Sequence, residues 1–377
     1  MTPFAFRTTP HVLCEPGATV RIGAMMAERG CRRVALVTDE GVMGLGLADA
    51  ALAGLSEAGV EPWVFAGVVA DPPEAMVQGA VRGAREAGVE GVVSVGGGSS
   101  LDTAKLVAVL TRSEQPLEAI YGVDLVKGGR LPLVLAPTTA GTGSEVTPIA
   151  IVTTGASEKK GVVAPQLLPD VAVLDAELTL GLPAPVTAAT GIDAMVHAIE
   201  AYTSRLRKNP VSDCLAREAL RLLGANIHAA CRTPGDRDAR GAMLLGSALA
   251  GMAFANAPVA AVHALAYPLG GHFHVPHGLS NALVLPHVVA FNRAEAGALY
   301  AEIAPLLFPG AGVDGLLDRL SGLAPGLGLP SRLREVGVSE ADLDLLADDA
   351  MKQTRLLVNN PREMTREAAR AIYEAAL

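Results

Sequence analysis

The spacing of apolar positions changes near residue 183. Before it, short runs rich in β-branched residues alternate with stretches of helical period. RRVALVTDEG is a strand ending in a polar turn, and LADAALAGLSEAGV, from Leu47, is helical. EPWVFAGVV and PEAMVQGAVRGAREAGV repeat the pair. GVVSVGGGSS is a third strand running into glycines, LDTAKLVAVLT a third helix, and LPLVLAPTTAGTGSEV a fourth strand and loop. This alternation builds βαβ units, hence a parallel sheet with helices on both faces. After VAVLDAELTLGLPAPVTAATG the strand-like runs nearly vanish. From Pro185 the chain reads as successive Ala/Leu-rich amphipathic helices, beginning with VTAATGIDAMVHAIEAYTS, DCLAREALRLLGANIHAACR and ARGAMLLGSALAGMAF. Gly and Pro punctuate Leu182 to Pro185. The pattern predicts an α/β domain over residues 1–183 and an all-helical domain over 184–377.

Composition agrees with two cores, because 377 residues exceed one ordinary hydrophobic interior. Half of the residues are hydrophobic but only 3% are aromatic, so the interior is built from Ala, Val, Leu and Ile. The net charge of −9, with no basic stripe, excludes nucleic acid and anionic membrane surfaces as partners. Four cysteines without a CxxC pair predict free thiols in a reducing compartment. The first residues lack a basic segment followed by an apolar one, so no signal peptide is expected. The apolar run LGSALAGMAFANAPVAAVHALAYPLGG carries Asn256 and His263 and reads as buried helix rather than a membrane span. A soluble, cytoplasmic protein is expected.

Two turns carry chemistry in the first half. GGGSSLDTAK follows a strand and opens a helix. Glycines let the backbone approach a phosphate, and the helix's first N–H groups donate. Gly97, Gly98 and Ser99 are the expected phosphate contacts, and Asp102 caps the helix or reaches a ligand. The other reading is a plain tight turn. PTTAGTGSE offers Thr138, Thr139, Thr142 and Ser144 after the next strand. Two such loops at neighbouring strand ends form the crevice where open α/β domains bind nucleotides. Asp39 ends the first strong strand, where a carboxylate accepts from ribose hydroxyls and repels a 2′-phosphate, favouring NAD over NADP. EGVMGLG does not match GxGxxG, so this is a dinucleotide fold of another kind, or Asp39 is a strand-end turn residue.

In the second half, five of the eight histidines fall within residues 262–287. GIDAMVHAIEAYTS places Asp193 and His197 four apart, on one helix face. His263 sits in an apolar helix, where an uncompensated imidazole is out of place. His277 enters the next helix. Asp193, His197, His263 and His277 make one carboxylate and three imidazoles, a set suited to Fe(II) or Zn(II) with room for a substrate oxygen. His272 and His274 form an HxH pair in a loop and either bind metal or line the pocket. His287 falls past a helix end, and His11 and His228 are surface residues.

GGGSSLDTAK, PTTAGTGSEVT, GIDAMVHAIEAYTS and HALAYPLGGHFHVPHGLSNALVLPH, in this order, resemble the iron-containing (group III) alcohol dehydrogenases. The similarity runs from TDEG to NPREMT, nearly the whole chain. It implies an N-terminal Rossmann-like dinucleotide-binding domain with a parallel sheet, then an all-α C-terminal domain. This is the dehydroquinate synthase-like architecture, with the active site in the cleft between the domains. It implies the same metal ligands, a pyrophosphate loop at Gly97, Gly98 and Ser99, and a nicotinamide-side loop at Thr138, Thr139 and Thr142. The family's cofactor-contacting lysine falls on Lys160, with Lys159 a rival, and Thr179 and Leu182 match positions near the adenine. The implied reaction is hydride transfer between NAD(H) and a small alcohol or aldehyde bound at Fe(II) or Zn(II).

One position departs from the family. Many members carry a histidine four residues after the third ligand, and here it is Tyr267. A phenol is a poorer base near neutrality. The proton then leaves through water or His272/His274, the substrate differs, or Tyr267 only shapes the pocket. Rival readings are a maleylacetate reductase, a hydroxyacid–oxoacid transhydrogenase, a dehydroquinate synthase-type lyase and a non-catalytic binding protein. The strand-like segment Val12 to Gly23 is expected to add to a partner's sheet edge, giving a homodimer or higher homo-oligomer.

Overall fold

The computed structural model describes residues 3–155 and 158–377. The chain folds as two compact units. Arg7–Thr139 and Gly143–Leu180 form the first; Gly181–Leu377, with Ala140–Thr142 and a short N-terminal piece, forms the second.

The first unit contains strands β1 (Val12–Cys14), β2 (Arg33–Val37), β3 (Glu61–Phe65), β4 (Gly91–Gly96), β5 (Gly122–Val123), β6 (Leu133–Pro137), β7 (Ile149–Thr154), β8 (Glu158–Val163) and β9 (Val171–Leu174). Its helices are α1 (Ile22–Glu28), α2 (Glu40–Gly44), α3 (Asp49–Glu57), α4 (Glu74–Glu86) and α5 (Gly98–Leu110). Six strands form a parallel sheet in the order β1-β9-β6-β4-β2-β3. β2 shows why both faces are covered. Successive side chains point to opposite faces. Val34 and Leu36 pack with Ile22, Met26 and Leu55 of α1 and α3. Ala35 and Val37 pack with Val77 and Ala80 of α4 and Leu101 and Ala104 of α5. A strand buried on both faces reads as one apolar run, which is the pattern VALV presents.

The chain leaves β2 toward β3 on one side and returns to β4 on the other. The carboxyl ends of β2 and β4 therefore flank the point where the winding reverses, the place where open α/β sheets hold ligands.

Several expectations need correction. The strand-like segment from Val12 is only three residues long and pairs in parallel with β9 of its own chain; α1 begins at Ile22. A second sheet, β5-β8-β7, was not foreseen; β7 and β8 form an antiparallel hairpin from Ile149↔Val163 to Thr154↔Glu158.

The second unit is helical: α6 (Ala184–Thr203), α7 (Pro210–Arg232), α8 (Arg237–Asn256), α9 (Ala261–Phe273), α10 (His277–Leu307), α11 (Val313–Gly326), α12 (Leu343–Ala350), α13 (Thr354–Leu357) and α14 (Arg366–Ala376). The long apolar run covers the end of α8 and most of α9, which meet at 106°. Among the described residues no single helix is long and apolar enough to cross a membrane. α10 continues through Pro286, because Ala282, Leu283, Leu285, Val288 and Val289 are buried on either side of it. Tertiary packing here outweighs the penalty of an internal proline. His287 is thus half-buried inside α10, not beyond its end. All four cysteines are free thiols, and His11 and His228 are exposed.

Candidate functional site

The donor cluster begins on α6. Pro183 precedes the helix and Pro185 sits in its first turn, where a proline costs no hydrogen bond. Asp193, His197 and Glu200 recur at i, i+4 and i+7 on one face, and all three are buried. α9 brings His263, also buried. α10 brings His277 as its first residue. A Cβ on Gly278 would stand 2.3 Å from the Ala189 carbonyl oxygen, so only glycine lets α10 start against the backbone of α6. That close approach sets His277 beside Asp193, with Nε2 3.6 Å from Oδ1.

Asp193, His263 and His277 each offer a ligand atom within 4.8 Å of the others. His197 is not in that tightest group, but its ring stacks on His263 with centroids 4.6 Å apart and on Phe254 at 4.3 Å. Hydrogen bonds fix the tautomers. His197 Nδ1 lies 3.2 Å from the Gly141 carbonyl, and His263 Nδ1 lies 2.7 Å from Glu200 Oε2. A carbonyl and a carboxylate oxygen both accept, so each Nδ1 is the donor and each Nε2 presents its lone pair. Burial holds the His197 imidazole down to about 3, so it is neutral at physiological pH. Burial opposes ionisation of Asp193, but His197, His277, His263 and the Asn281 amide outweigh it and hold the carboxyl below its ordinary value.

The fit to a cation shows in Asn281. Its Nδ2 sits 2.6 Å from Asp193 Oδ1 and 3.3 Å from the Nε2 of both His263 and His277. Three acceptor atoms thus share one donor, which means that their lone pairs converge. One carboxylate and three imidazoles are donors suited to Fe(II) or Zn(II).

Tyr267 shares the face of α9 with His263, and its ring centroid is 5.9 Å from that of His277. His272 is exposed, with Nε2 3.1 Å from Asp349 Oδ2 on α12, and His274 is exposed in a left-handed conformation. Neither belongs to the donor group.

In the first unit a cavity of about 520 Å³ is lined by Asp39, Glu40, Gly97, Gly98, Ser99 and Ser100, among others. Gly97 precedes α5, so its first-turn N–H groups open here. A Cβ on Gly96 would stand 2.5 Å from that of Ser100, which explains the need for glycine where the strand turns into the helix. The two sequence readings of Asp39 coexist. Its Oδ1 accepts from Val42 N and caps α2, its Oδ2 accepts from Ser100 Oγ at 3.3 Å, and it lines the cavity. Thr138 N donates to the Gly96 carbonyl, and Thr139 stands 3.8 Å from where a Cβ of Gly97 would lie, so the two turns are neighbours. Thr142 falls in the piece counted with the helical unit.

Asp102 does not cap α5. It accepts from Ser144 Oγ at 2.5 Å and from Ile151 N at 2.9 Å, tying α5 to the following loop and β7. Lys105, fully buried, completes this tie with Nζ 2.7 Å from Ser144 Oγ and from the Ile149 carbonyl. Of the two rival lysines, Lys159 pairs with Asp71 and Thr153, while Lys160 lies 3.4 Å from Glu158 and over the Tyr121 ring. Thr179 is buried and bonds the Ala176 carbonyl; the Leu182 carbonyl accepts from buried Arg240.

Against known proteins, the profile described as iron-containing alcohol dehydrogenase matches residues 9–176, and that of the Fe-containing alcohol dehydrogenase family, C-terminal, matches 187–377. The chain belongs to the iron-containing alcohol dehydrogenases. It is 39% identical to long-chain-alcohol dehydrogenase 1 of Geobacillus thermodenitrificans, covering 96% of this chain and 93% of that one. It is 34% identical to the NAD-dependent methanol dehydrogenase of Bacillus methanolicus, covering 99% of each. The crystal structure of a 1,3-propanediol oxidoreductase superposes with a TM-score of 0.96 at 34% identity, covering all of both chains. The parallel sheet with flanking helices and the helical C-terminal part are thus a group III architecture.

Sequence reasoning missed Glu200 and Asn281. An acidic residue in HAIEAY, one turn beyond His197 on the face that already carries Asp193, was an available signal for Glu200. For Asn281, the signal was its place one turn after His277.

Proposed function

We propose that this chain is a metal-dependent, NAD(H)-linked alcohol dehydrogenase or aldehyde reductase. The proposal assigns dinucleotide binding to residues 1–183 and metal binding and catalysis to 184–377. The convergence of Asp193, His263 and His277, with His197 stacked against them, carries the reading. Its likeness to the long-chain-alcohol dehydrogenase supports the reaction class, and its likeness to the NAD-dependent methanol dehydrogenase supports the cofactor.

The reaction is the loss of a hydride from an alcohol carbon to nicotinamide and of a proton from its hydroxyl, or the reverse. When bound, Fe(II) or Zn(II) supplies Lewis acidity toward the substrate oxygen and NAD supplies the hydride acceptor. The chain's own groups do the rest. Asp193, His197, His263 and His277 hold the cation, and Phe254 closes one side of that pocket against water. Tyr267 stands next to His277 and shapes the substrate space. Gly97, Gly98 and Ser99 hold the pyrophosphate. Thr138, Thr139 and Thr142 lie toward the nicotinamide, while Lys160, Thr179 and Leu182 are further cofactor contacts. Asp39 faces the adenosine ribose and favours NAD. His272, bound to Asp349, takes no part in this reading. β1 ends its sheet, leaving an edge to which a second copy can add.

The test is His263→Ala. Activity and bound metal are lost together while NAD binding, followed by NADH fluorescence, stays as in the parent. Turnover by a metal-free His263→Ala protein would sink the reading.

A further inference from the structure

Glu200 is 4% exposed, on the buried α6 face that it shares with Asp193 and His197. A carboxyl in such surroundings is tolerated only when its oxygens are hydrogen-bonded. Both are. Oε2 lies 2.7 Å from His263 Nδ1, and Oε1 accepts from Val262 N over 2.7 Å. Val262 lies in the first turn of α9, where backbone N–H groups lack an intrahelical partner. One side chain on α6 therefore caps α9 and orients the imidazole that follows. His197 differs, since its Nδ1 meets the neutral carbonyl of Gly141.

A carboxylate cannot donate, so His263 Nδ1 must carry the proton and Nε2 must present its lone pair toward Asp193 and Asn281. A negative charge behind the ring also favours the electron withdrawal that a cation imposes at Nε2. We propose that Glu200 is a positioning residue for the divalent metal, locking His263 in the Nδ1–H tautomer and strengthening it as a ligand. This rests on the metal reading above.

Glutamine at this position exposes the role. Val262 N–H and His263 Nδ1–H are both donors, and a carboxamide has one acceptor oxygen. Glu200→Gln must leave one donor facing the amide NH₂ or push the His263 proton onto Nε2, which removes the ligand lone pair.

The experiment titrates the full-length protein with Zn(II) against a chromophoric chelator. It also reads the His263 tautomer by ¹⁵N NMR of ring-labelled, metal-free protein. Glu200→Gln is expected to weaken Zn(II) binding roughly 10- to 100-fold with unchanged circular dichroism. In the metal-free protein the same substitution is expected to move the His263 ring proton, wholly or in part, from Nδ1 to Nε2, a change that a merely structural role would not produce. Weakened binding with the His263 tautomer unchanged would mean a merely structural role and overturn the proposal, as would parental affinity in Glu200→Gln. Wild-type His263 protonated at Nε2 overturns it without any variant. A wild-type protein that binds no Zn(II), Fe(II) or other divalent ion overturns the metal reading itself.

Discussion

Asn281 donates to Asp193 Oδ1 over 2.6 Å, from a position equally 3.3 Å from the Nε2 atoms of His263 and His277. Its own Oδ1 is buried and has no hydrogen-bond partner among the described residues. The amide is oriented entirely by the acceptors in front of it, since a carboxylate tolerates only the NH₂ side. Asn281 therefore holds the Asp193 carboxylate with Oδ1 turned toward the two imidazole nitrogens.

Asn281→Leu keeps the bulk and removes the donor. Metal affinity should fall about tenfold or more, the usual range for a group that orients a ligand. Chelator competition measures it. Unchanged affinity would mean that the packing of α6 alone sets the carboxylate.

Asp39→Asn separates two roles. An amide oxygen still caps α2 through Val42 N, so thermal stability should hold. Loss of the negative charge at the cavity rim should raise kcat/KM with NADP relative to NAD by about tenfold or more, a charge effect of roughly 1.4 kcal/mol. Steady-state kinetics with both cofactors decide this. An unchanged ratio would leave Asp39 as a helix cap only.

Glu145 gives a pH prediction. Burial pushes its carboxyl from 4.5 up to about 7, its own backbone N–H and attraction to Lys105 offsetting only part of this, and its Oε1 has no hydrogen-bond partner among the described residues. The folded state thus binds a proton that the unfolded state releases above 4.5. Stability is complete below that pH, falls as pH rises toward 7, and is level above it. The gap is worth about 3 kcal/mol at about 1.4 kcal/mol per decade. Glu145→Gln should flatten the decline in Tm between pH 5 and 8 and leave the variant more stable at pH 8. Calorimetry across that range checks it, and parallel curves for the two proteins would refute it.

Much of this was legible in the chain, for identifiable reasons. Past the exposed Arg33, β2, β4 and β6 are buried on both faces and read as apolar runs, interrupted only by Ser94 in β4. The β7–β8 hairpin did not read that way. Its burial alternates, and Thr, Lys and Gly interrupt it. Asp193 and His197 announce themselves through helical spacing, and His263 through its apolar setting. Glu200 does not, because the partner that gives it meaning lies 63 residues away. The tie that Asp102 makes is hidden for the same reason: it depends on Ser144 and Ile151, which only the fold brings near. His287 was placed outside a helix because Pro286 signals a stop that the packing of α10 overrides.

The central claim is metal-dependent hydride transfer. NADH absorbance should be followed over a panel of alcohols and aldehydes, with chelator-stripped protein reconstituted with Fe(II), with Zn(II) or with nothing. The account predicts turnover with one or both metals and none in the stripped protein. Equal turnover in the stripped and reconstituted proteins would contradict it.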